Sequence, residues 1–387
     1  MSDWYAMRGV SAGKEEVKRA VQHLPEGLFP DAFCKIVPDF SDKEYCLLSH
    51  ADGAGTKPVL AYLQWKETGD AAVWAGIVQD ALAMNLDDMA CAGCLGPFVV
   101  SSVVSRNRRL VGAEALERII AAGAEEARRL SSMDFELVLA GGETADMGDV
   151  VRTLDLSFTL TARMPRSAVL PCRPTAGDVI VGLASDGQAV YEGKENSGIG
   201  CNGLTGARHD LLSDHYRLHF PETFDPGLPS DVVYKGRYRM GDPLPGSTLT
   251  VGAALLSPTR YFLPVIARIL RDVRPHALVH ATGGGQTKCL SFLESGRIVK
   301  DWDVVGVPAI FSEIQRTMPT DWRDMFRTYN MGVRLEVYVP PVEVEKVMAA
   351  AADFGIRAYE IGRVEERGSG LTIRFRGEEY DYPPLIS

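Results

Sequence analysis

The stretch Asp52-Gly53-Ala54-Gly55-Thr56-Lys57 sets one acid, one hydroxyl and one amine around two glycines. Glycine lets the backbone approach a ligand closely, and successive N–H groups of such a turn can converge on phosphate oxygens. Lys57 has the charge to neutralise a phosphoryl group in transfer, and Asp52 is a hard oxygen ligand of the kind magnesium takes. The spacing is not that of the G-x-x-x-x-G-K-[ST] phosphate loop. Taken alone, the segment reads equally well as a glycine turn.

Two further acids add weight to the chemical reading. Residues 72–92 carry Trp74, Ile77, Val78, Ala81, Leu82, Leu86 and Met89 at helical spacing, in a stripe centred close to Asn85. Asp88 falls about 60° from that centre on an ideal helix. A carboxylate at the edge of a buried stripe is costly unless it is paired or binds a metal, so a metal ligand, a buried ion pair and a helix cap all remain open. Asp80 and Asp87 fall on the opposite face and are expected in solvent. Glu143 follows Gly141 and Gly142 behind the apolar run 135–140, at a strand end, where α/β folds gather ligand chemistry. Three gathered acids repel one another unless a cation lies among them, and magnesium carrying nucleotide phosphates suits that place.

The second half offers Thr282-Gly283-Gly284-Gly285 after another apolar run, which reads as a phosphate cradle or a tight turn. Ser257-Pro258-Thr259-Arg260 reads as a helix start with Ser257 as N-cap and Pro258 at the first position. That leaves the Arg260 guanidinium free for an anion.

The elements that must position these groups alternate in type. Strands are expected at 45–48, 97–105, 135–140 and 150–163, with helices at 72–92 and over Leu116 to Leu130. Pro165, Pro171 and Pro174 mark a boundary near 165–175, giving domains 1–168 and 169–387. Beyond it, strands are expected at 179–183, 276–281 and 333–339, helices at 203–219, 257–272 and 342–354, and two strands at the end. Residues 186–202 and 220–250, rich in Gly, Pro and charge, read as loops or excursions. The class is α/β (α+β).

At 387 residues, with 46% hydrophobic and 24% charged side chains, the chain has material for real cores. A net charge of −10 argues against a nucleic-acid surface. The basic run Arg106-Asn107-Arg108-Arg109 is expected to be a solvated loop. Neither a membrane span nor a signal peptide is indicated, so the cytoplasm is the expected compartment. Seven scattered cysteines suit reduced, buried thiols, and Cys91-Ala-Gly-Cys94 lacks the second pair a structural zinc would want.

In this order, DGAGTK at 52–57, Met84 through Asp88 followed by Gly93, GGETAD at 141–146, LLSPTR at 255–260, TGGG at 282–285 and RTYNMGV at 327–333 resemble the AIR synthetase (phosphoribosylformylglycinamidine cyclo-ligase) family over roughly 45–365. The resemblance implies two α/β domains, the first dimerising through its sheets into a barrel, with ATP near DGAGTK. It implies an activity in purine biosynthesis: formylglycinamidine ribonucleotide and ATP give aminoimidazole ribonucleotide, ADP and phosphate. Phosphorylation turns the amide oxygen into a leaving group, and an internal amine closes the ring. Catalysis of this kind is mostly positioning and charge neutralisation. The resemblance assigns Asp52, Asp88 and Glu143 to magnesium. Gly53, Gly55, Thr56 and Lys57, with Gly141, Gly142, Glu143 and Thr144, go to the nucleotide. Arg260, Gly283, Gly284, Gly285 and Asn330 go to substrate, and Lys57 and Asp88 are the catalytic pair. Lys57→Ala is then expected to lower turnover by orders of magnitude with the fold intact.

The chain also departs from the family pattern. The family's Ser-Gly-Pro-His-Ser-Asn-Gly loop has its counterpart in a stretch ending Gly200-Cys201-Asn202-Gly203, without histidine. Gln286-Thr287-Lys288 replaces the usual Phe-x-Glu-Asn continuation after the glycine triplet, and Gly9-Val10-Ser11 stands for Gly-Val-Asp. These changes motivate two alternatives: an ATP-dependent ligase or kinase acting on another acceptor, and a non-catalytic nucleotide-binding paralogue.

Overall fold

Alternating side chains show which faces are buried. In the strand Leu154–Pro165, Leu154, Leu156, Phe158, Leu160, Ala162 and Met164 are buried and the residues between them are not, the period-two signature of a sheet covered on one face. The computed structural model describes residues 4–10, 20–21, 23–318 and 320–384; Ser11 of the Gly9-Val10-Ser11 pattern lies outside them. Strands β1 (Ile36–Pro38), β2 (Tyr45–Gly53), β3 (Phe98–Arg106), β4 (Leu137–Asp146) and β5 (Leu154–Pro165) form one sheet in the order β1-β2-β5-β3-β4. All neighbours are antiparallel except β3 and β4.

The second half builds a larger sheet. Its strands are β6 (Val179–Ala184), β9 (Ala277–His280), β10 (Gly296–Asp301), β11 (Val333–Val339), β12 (Ala358–Glu365), β13 (Ser369–Phe375) and β14 (Glu378–Tyr382), in the order β14-β13-β10-β12-β6-β11-β9. Between β6 and β9, β7 (Asp186–Gly187) and β8 (Asn196–Ser197) pair as a small ribbon. Every residue of β11 is buried, as a strand paired on both edges and covered on both faces must be. Val181, Leu183, Leu335 and Val337 join one apolar core with the first sheet and its helices, and Ile180, Val333 and Tyr338 point into a second.

The helix Trp74–Cys91 packs on β2 and β5 on one side and on β9 and the helix Leu263–Asp272 on the other. Only Ala75 and Gly76 escape burial. Asp80 and Asp87, expected in solvent, are therefore both fully buried. A helical wheel assumes that one face meets water, and a helix sandwiched between two layers has no such face.

Other expectations shift in place. β4 runs on through GGETAD instead of ending before it. The helix expected over 203–219 is two, Leu204–Leu211 and Asp214–His219, and the one expected from 257 begins at Leu263. Three strands rather than two close the chain, and β10 was not expected. Excursion 220–250 buries Val232, Val233 and Tyr234. Arg106 is not solvated but buried at the end of β3, bonded to Asp146 and to the carbonyls of Val111 and Gly112.

All seven cysteines are free and buried. Burial pushes the thiol pKa of Cys94 and Cys289 up to about 11 and that of Cys201 up to about 12. A thiol is nucleophilic only as thiolate, so the native protein at pH 8 should leave a thiol reagent such as DTNB nearly unreacted, with seven equivalents appearing in denaturant. Two or more fast thiols in the native state would contradict this packing.

Candidate functional site at the seam

The DGAGTK turn is built by close approach. A Cβ on Gly53 would lie 2.6 Å from the Leu156 carbonyl oxygen, and Gly55 has φ +58°, a backbone region that favours glycine. The helix Lys57–Thr68 starts directly after it. Lys57 does not reach toward an open phosphate site, as the sequence suggested. It is fully buried, and its Nζ donates to Asp80 Oδ1 (2.8 Å) and to the carbonyls of Ser257 (2.5 Å) and Gly200 (3.3 Å). Asp80 Oδ1 also accepts from Thr259 N and Oγ1. One ion pair thus ties the turn to the central helix and to two loops of the second half.

Asp88 sits where the halves meet. Its Oδ1 lies 2.6 Å from His280 Nδ1, at the end of β9, and its Oδ2 3.5 Å from His50 Nε2, on β2. His50 Nδ1 is 2.9 Å from Asn85 Oδ1, and Asn85 Nδ2 donates to the Asp52 carbonyl. On the far side of His280, Arg334 Nη2 donates to Nε2 at 2.8 Å. Since a guanidinium only donates, His280 is the neutral tautomer with its proton on Nδ1, given to Asp88. Burial, then Arg334, pushes the His280 pKa down to about 4. Burial alone would raise Asp88, but Lys288, His280 and His50 hold it far below the usual carboxylate range. Burial opposes charging of His50, yet Asp88, Asn85 and Asp52 together hold its pKa above the ordinary histidine value. Burial pushes Asp87 up to about 7 against the opposing Arg334; its Oδ1 accepts the N–H groups of Phe262 and Leu263 and so opens the helix there.

The three acids expected around magnesium do not gather. Register sets Asp52 opposite Phe158, and Ser102 and Gly142 continue that row; Glu143 falls in the next row, with Val103, Ser157 and Gly53. Successive rows face opposite sides of a sheet. Both Asp88 oxygens are taken up by imidazoles, and no group of three His, Cys, Asp or Glu side chains among the described residues is placed to hold a metal ion. The donor set of a single chain therefore does not fit a resident magnesium. Gly141, Gly142, Glu143 and Thr144 instead line a cavity of about 250 Å³ together with Ile119 and Phe158.

In the second half, Arg260 is not the free cation expected. Its five donors go to both Glu192 oxygens and to the carbonyls of Ala184, Asp186 and Gly187. Asn330 is likewise occupied, accepting from Ser185 Oγ and Gly332 N and donating to the carbonyls of Gly198 and Ile199. The glycine triplet divides by role. At Gly285, with φ +51°, a Cβ would meet the Phe326 and Tyr329 carbonyl oxygens at 2.5 and 2.6 Å; at Gly284, with φ +92°, nothing lies closer than 3.8 Å. Gly285→Ala is expected to cost about 2–5 kcal/mol from clash plus backbone strain, and Gly284→Ala about 1–3 kcal/mol from strain alone. Urea unfolding of both variants checks the order; equal costs would contradict it.

His50 and His280 were missed, although a signal existed. Each stands three residues ahead of the first glycine of its loop, in His50-Ala51-Asp52-Gly53 and His280-Ala281-Thr282-Gly283.

Comparison with known proteins agrees across both halves. Residues 31–164 match the family described as AIR synthase related protein, N-terminal domain, and residues 175–374 match its C-terminal domain. Phosphoribosylformylglycinamidine cyclo-ligase of Methanothermobacter thermautotrophicus is 30% identical over 328 residues, 83% of this chain and 80% of that protein. The protein of that name from Brevibacillus brevis is 27% identical over 383 residues, 94% of this chain and 96% of that one. Among solved structures, T. maritima PurL complexed with ADP has a TM-score of 0.54 at 12% identity, covering 98% of this chain and 50% of that one. E. coli HypE, a hydrogenase maturation protein, has a TM-score of 0.52 at 17% identity, covering 89% and 86%. At these identities the likeness is one of fold.

Proposed function

Because the chain belongs to the AIR synthase related family, we propose that it is an ATP-dependent cyclo-ligase converting formylglycinamidine ribonucleotide to aminoimidazole ribonucleotide. The observation that carries this reading is the seam itself. Asp88 joins a histidine just ahead of the DGAGTK turn to a histidine just ahead of the TGGG loop, so both glycine loops border one place. Cyclo-ligase relatives at about 30% identity over most of the chain support it.

In this reading ATP supplies the phosphoryl group that makes the amide oxygen a leaving group. Backbone N–H groups of Gly55 and Thr56 approach its phosphates, that of Gly53 being given to Asp52 Oδ1, and the cavity lined by Gly141, Gly142, Glu143 and Thr144 has room and apolar walls for a base. Magnesium would arrive as a counter-ion of those phosphates. Gly283 and Gly284 border the acceptor. Asp88 orients His280 and His50, and Lys57, through Asp80, holds the two halves in register. The chain is proposed to act as a homodimer, since Val99, Val103 and Val138 leave apolar surface exposed on the first sheet. No helix among the described residues is long and apolar enough to cross a membrane, in keeping with the proposed cytoplasmic setting.

The test is ADP release from Mg-ATP with and without formylglycinamidine ribonucleotide, following the aminoimidazole product in parallel. Substrate-dependent ADP matched by product is expected. ATP binding without that turnover would favour another acceptor, which the loop departures at 200–203 and 286–288 allow.

A further inference from the structure

The start of the chain folds back onto the second half, and one guanidinium fastens it there. Residues Trp4–Met7 form a single helical turn, and Arg8 directly after it is only 5% exposed. Its Nε donates to the Val232 carbonyl at 2.8 Å and its Nη1 to the Gly206 carbonyl at 3.3 Å, and its Nη2 lies 2.6 Å from Asp210 Oδ1. Val232 belongs to the 220–250 excursion, whereas Gly206 and Asp210 belong to the helix Leu204–Leu211. Tyr5 packs on the same helix: a Cβ on Gly206 would stand 3.2 Å from the Tyr5 ring and 3.1 Å from Tyr329 Oη.

That helix depends on what packs against it. At eight residues it is too short to persist on its own hydrogen bonds, and no side chain caps its start at Gly203. Asp210 is buried near its end. Burial pushes the Asp210 carboxyl pKa up, and Arg8 is what opposes the push. Without the guanidinium, the helix would carry an uncompensated carboxylate in a place closed to water.

The consequence reaches the nucleotide side. Thr205, the residue before Gly206, has its Oγ1 3.1 Å from Thr56 Oγ1, so the first turn of this helix touches the DGAGTK turn. Arg8 is one step further back, with its bonds going to Gly206, Asp210 and Val232 rather than to a glycine loop.

We propose that Arg8 is a positioning residue: through the helix Leu204–Leu211 it holds Thr205 against Thr56 and so sets the DGAGTK turn for a nucleoside triphosphate. The role rests on the nucleotide half of the proposed function and not on the identity of the acceptor. When the helix drifts, only the molecules with the turn in place bind, and the apparent Kd rises by the inverse of that fraction. Bound nucleotide draws the turn back, so saturating ATP restores the rate. The signature is a raised KM for ATP with kcat nearly kept.

The test compares full-length Arg8→Met, Arg8→Lys and Thr205→Val with the unaltered protein, by calorimetric titration with AMPPCP and by hydrogen exchange over residues 204–212. Arg8→Met should weaken AMPPCP about tenfold, as when the turn is in place in about one molecule in ten. Exchange over 204–212 should quicken, and kcat at saturating ATP should stay within about threefold. Arg8→Lys keeps a charge opposite Asp210 but gives up the fork that spans two carbonyls, so it should recover part of the affinity. Thr205→Val removes the hydroxyl beside Thr56 with Arg8 in place, and should weaken AMPPCP without quickening that exchange. Should Arg8→Met not fold, Arg8→Lys and Thr205→Val decide. Unchanged AMPPCP affinity in those two, or a lower melting temperature with unchanged affinity in Arg8→Met, makes Arg8 a structural anchor only and overturns the proposal. AMPPCP binding that depends on Arg8 in a protein with no cyclo-ligase turnover keeps the role and rejects that activity; turnover with nucleotide binding indifferent to Arg8 does the reverse.

Discussion

Lys57→Ala should lower the free energy of unfolding by about 3–5 kcal/mol, the range for removing one partner of a buried ion pair. This replaces the simpler expectation of lost turnover in an intact fold. Asp80 would keep its charge in a place with no water, held only by the Thr259 N–H and hydroxyl, with Oδ2 already unpartnered. The carbonyls of Ser257 and Gly200 would lose their donor as well. The double variant Lys57→Met, Asp80→Leu removes both charges while keeping volume, and should recover a good part of the loss. Urea denaturation of the single and double variants measures this, with ADP release assayed well below both melting temperatures. A cost below about 1 kcal/mol, together with abolished turnover, would return Lys57 to the phosphates and reject its role as a latch.

The legibility of the chain follows the range of the interactions involved. β5 and the helix Trp74–Cys91 were readable because their periodicity is local, and the glycine loops because positive φ and close approach leave a mark in the residue type. Partners distant in sequence leave no such mark. Asp80 meets Lys57 from 23 residues away and Thr259 from 179, and Asp87 caps a helix 175 residues on. Arg260 looked free because Glu192 and two of its three carbonyl acceptors, those of Asp186 and Gly187, lie in a segment that reads as loop. The three acids failed to gather for a different reason. A strand extended by a few residues, with a register shift between Val100 and Ser101, decides which face Glu143 takes, and a one-residue change reverses that face. Motif order identified the family even though several individual roles moved. Order survives long-range packing, whereas the role of a side chain depends on which partners the packing brings to it.

Asp88→Asn is expected to lower turnover by about 100-fold or more while changing stability far less than Lys57→Ala. Its effect is one of proton placement. His280 now gives its Nδ1 proton to a carboxylate that can only accept, which leaves Nε2 bare to receive Arg334. An amide can turn its NH2 toward Nδ1. The imidazole would then carry its proton on Nε2, against a guanidinium that also only donates, and one of the two must move. Holding an imidazole in the wrong tautomer has cost about 10⁴-fold in a well-studied carboxylate–histidine pair. His50 would lose its ion pair at the same stroke, and with it the influence that keeps its pKa above the ordinary value. Asp88→Ala should be worse in stability, since it also leaves His280 Nδ1 without an acceptor in a fully buried place. Steady-state kinetics on both variants, with ring nitrogen chemical shifts of His280 in the Asn variant, separate these effects. Turnover within a few-fold of the unaltered protein, with the proton still on Nδ1, would mean that Asp88 only joins the halves and that the chemistry lies elsewhere along the seam.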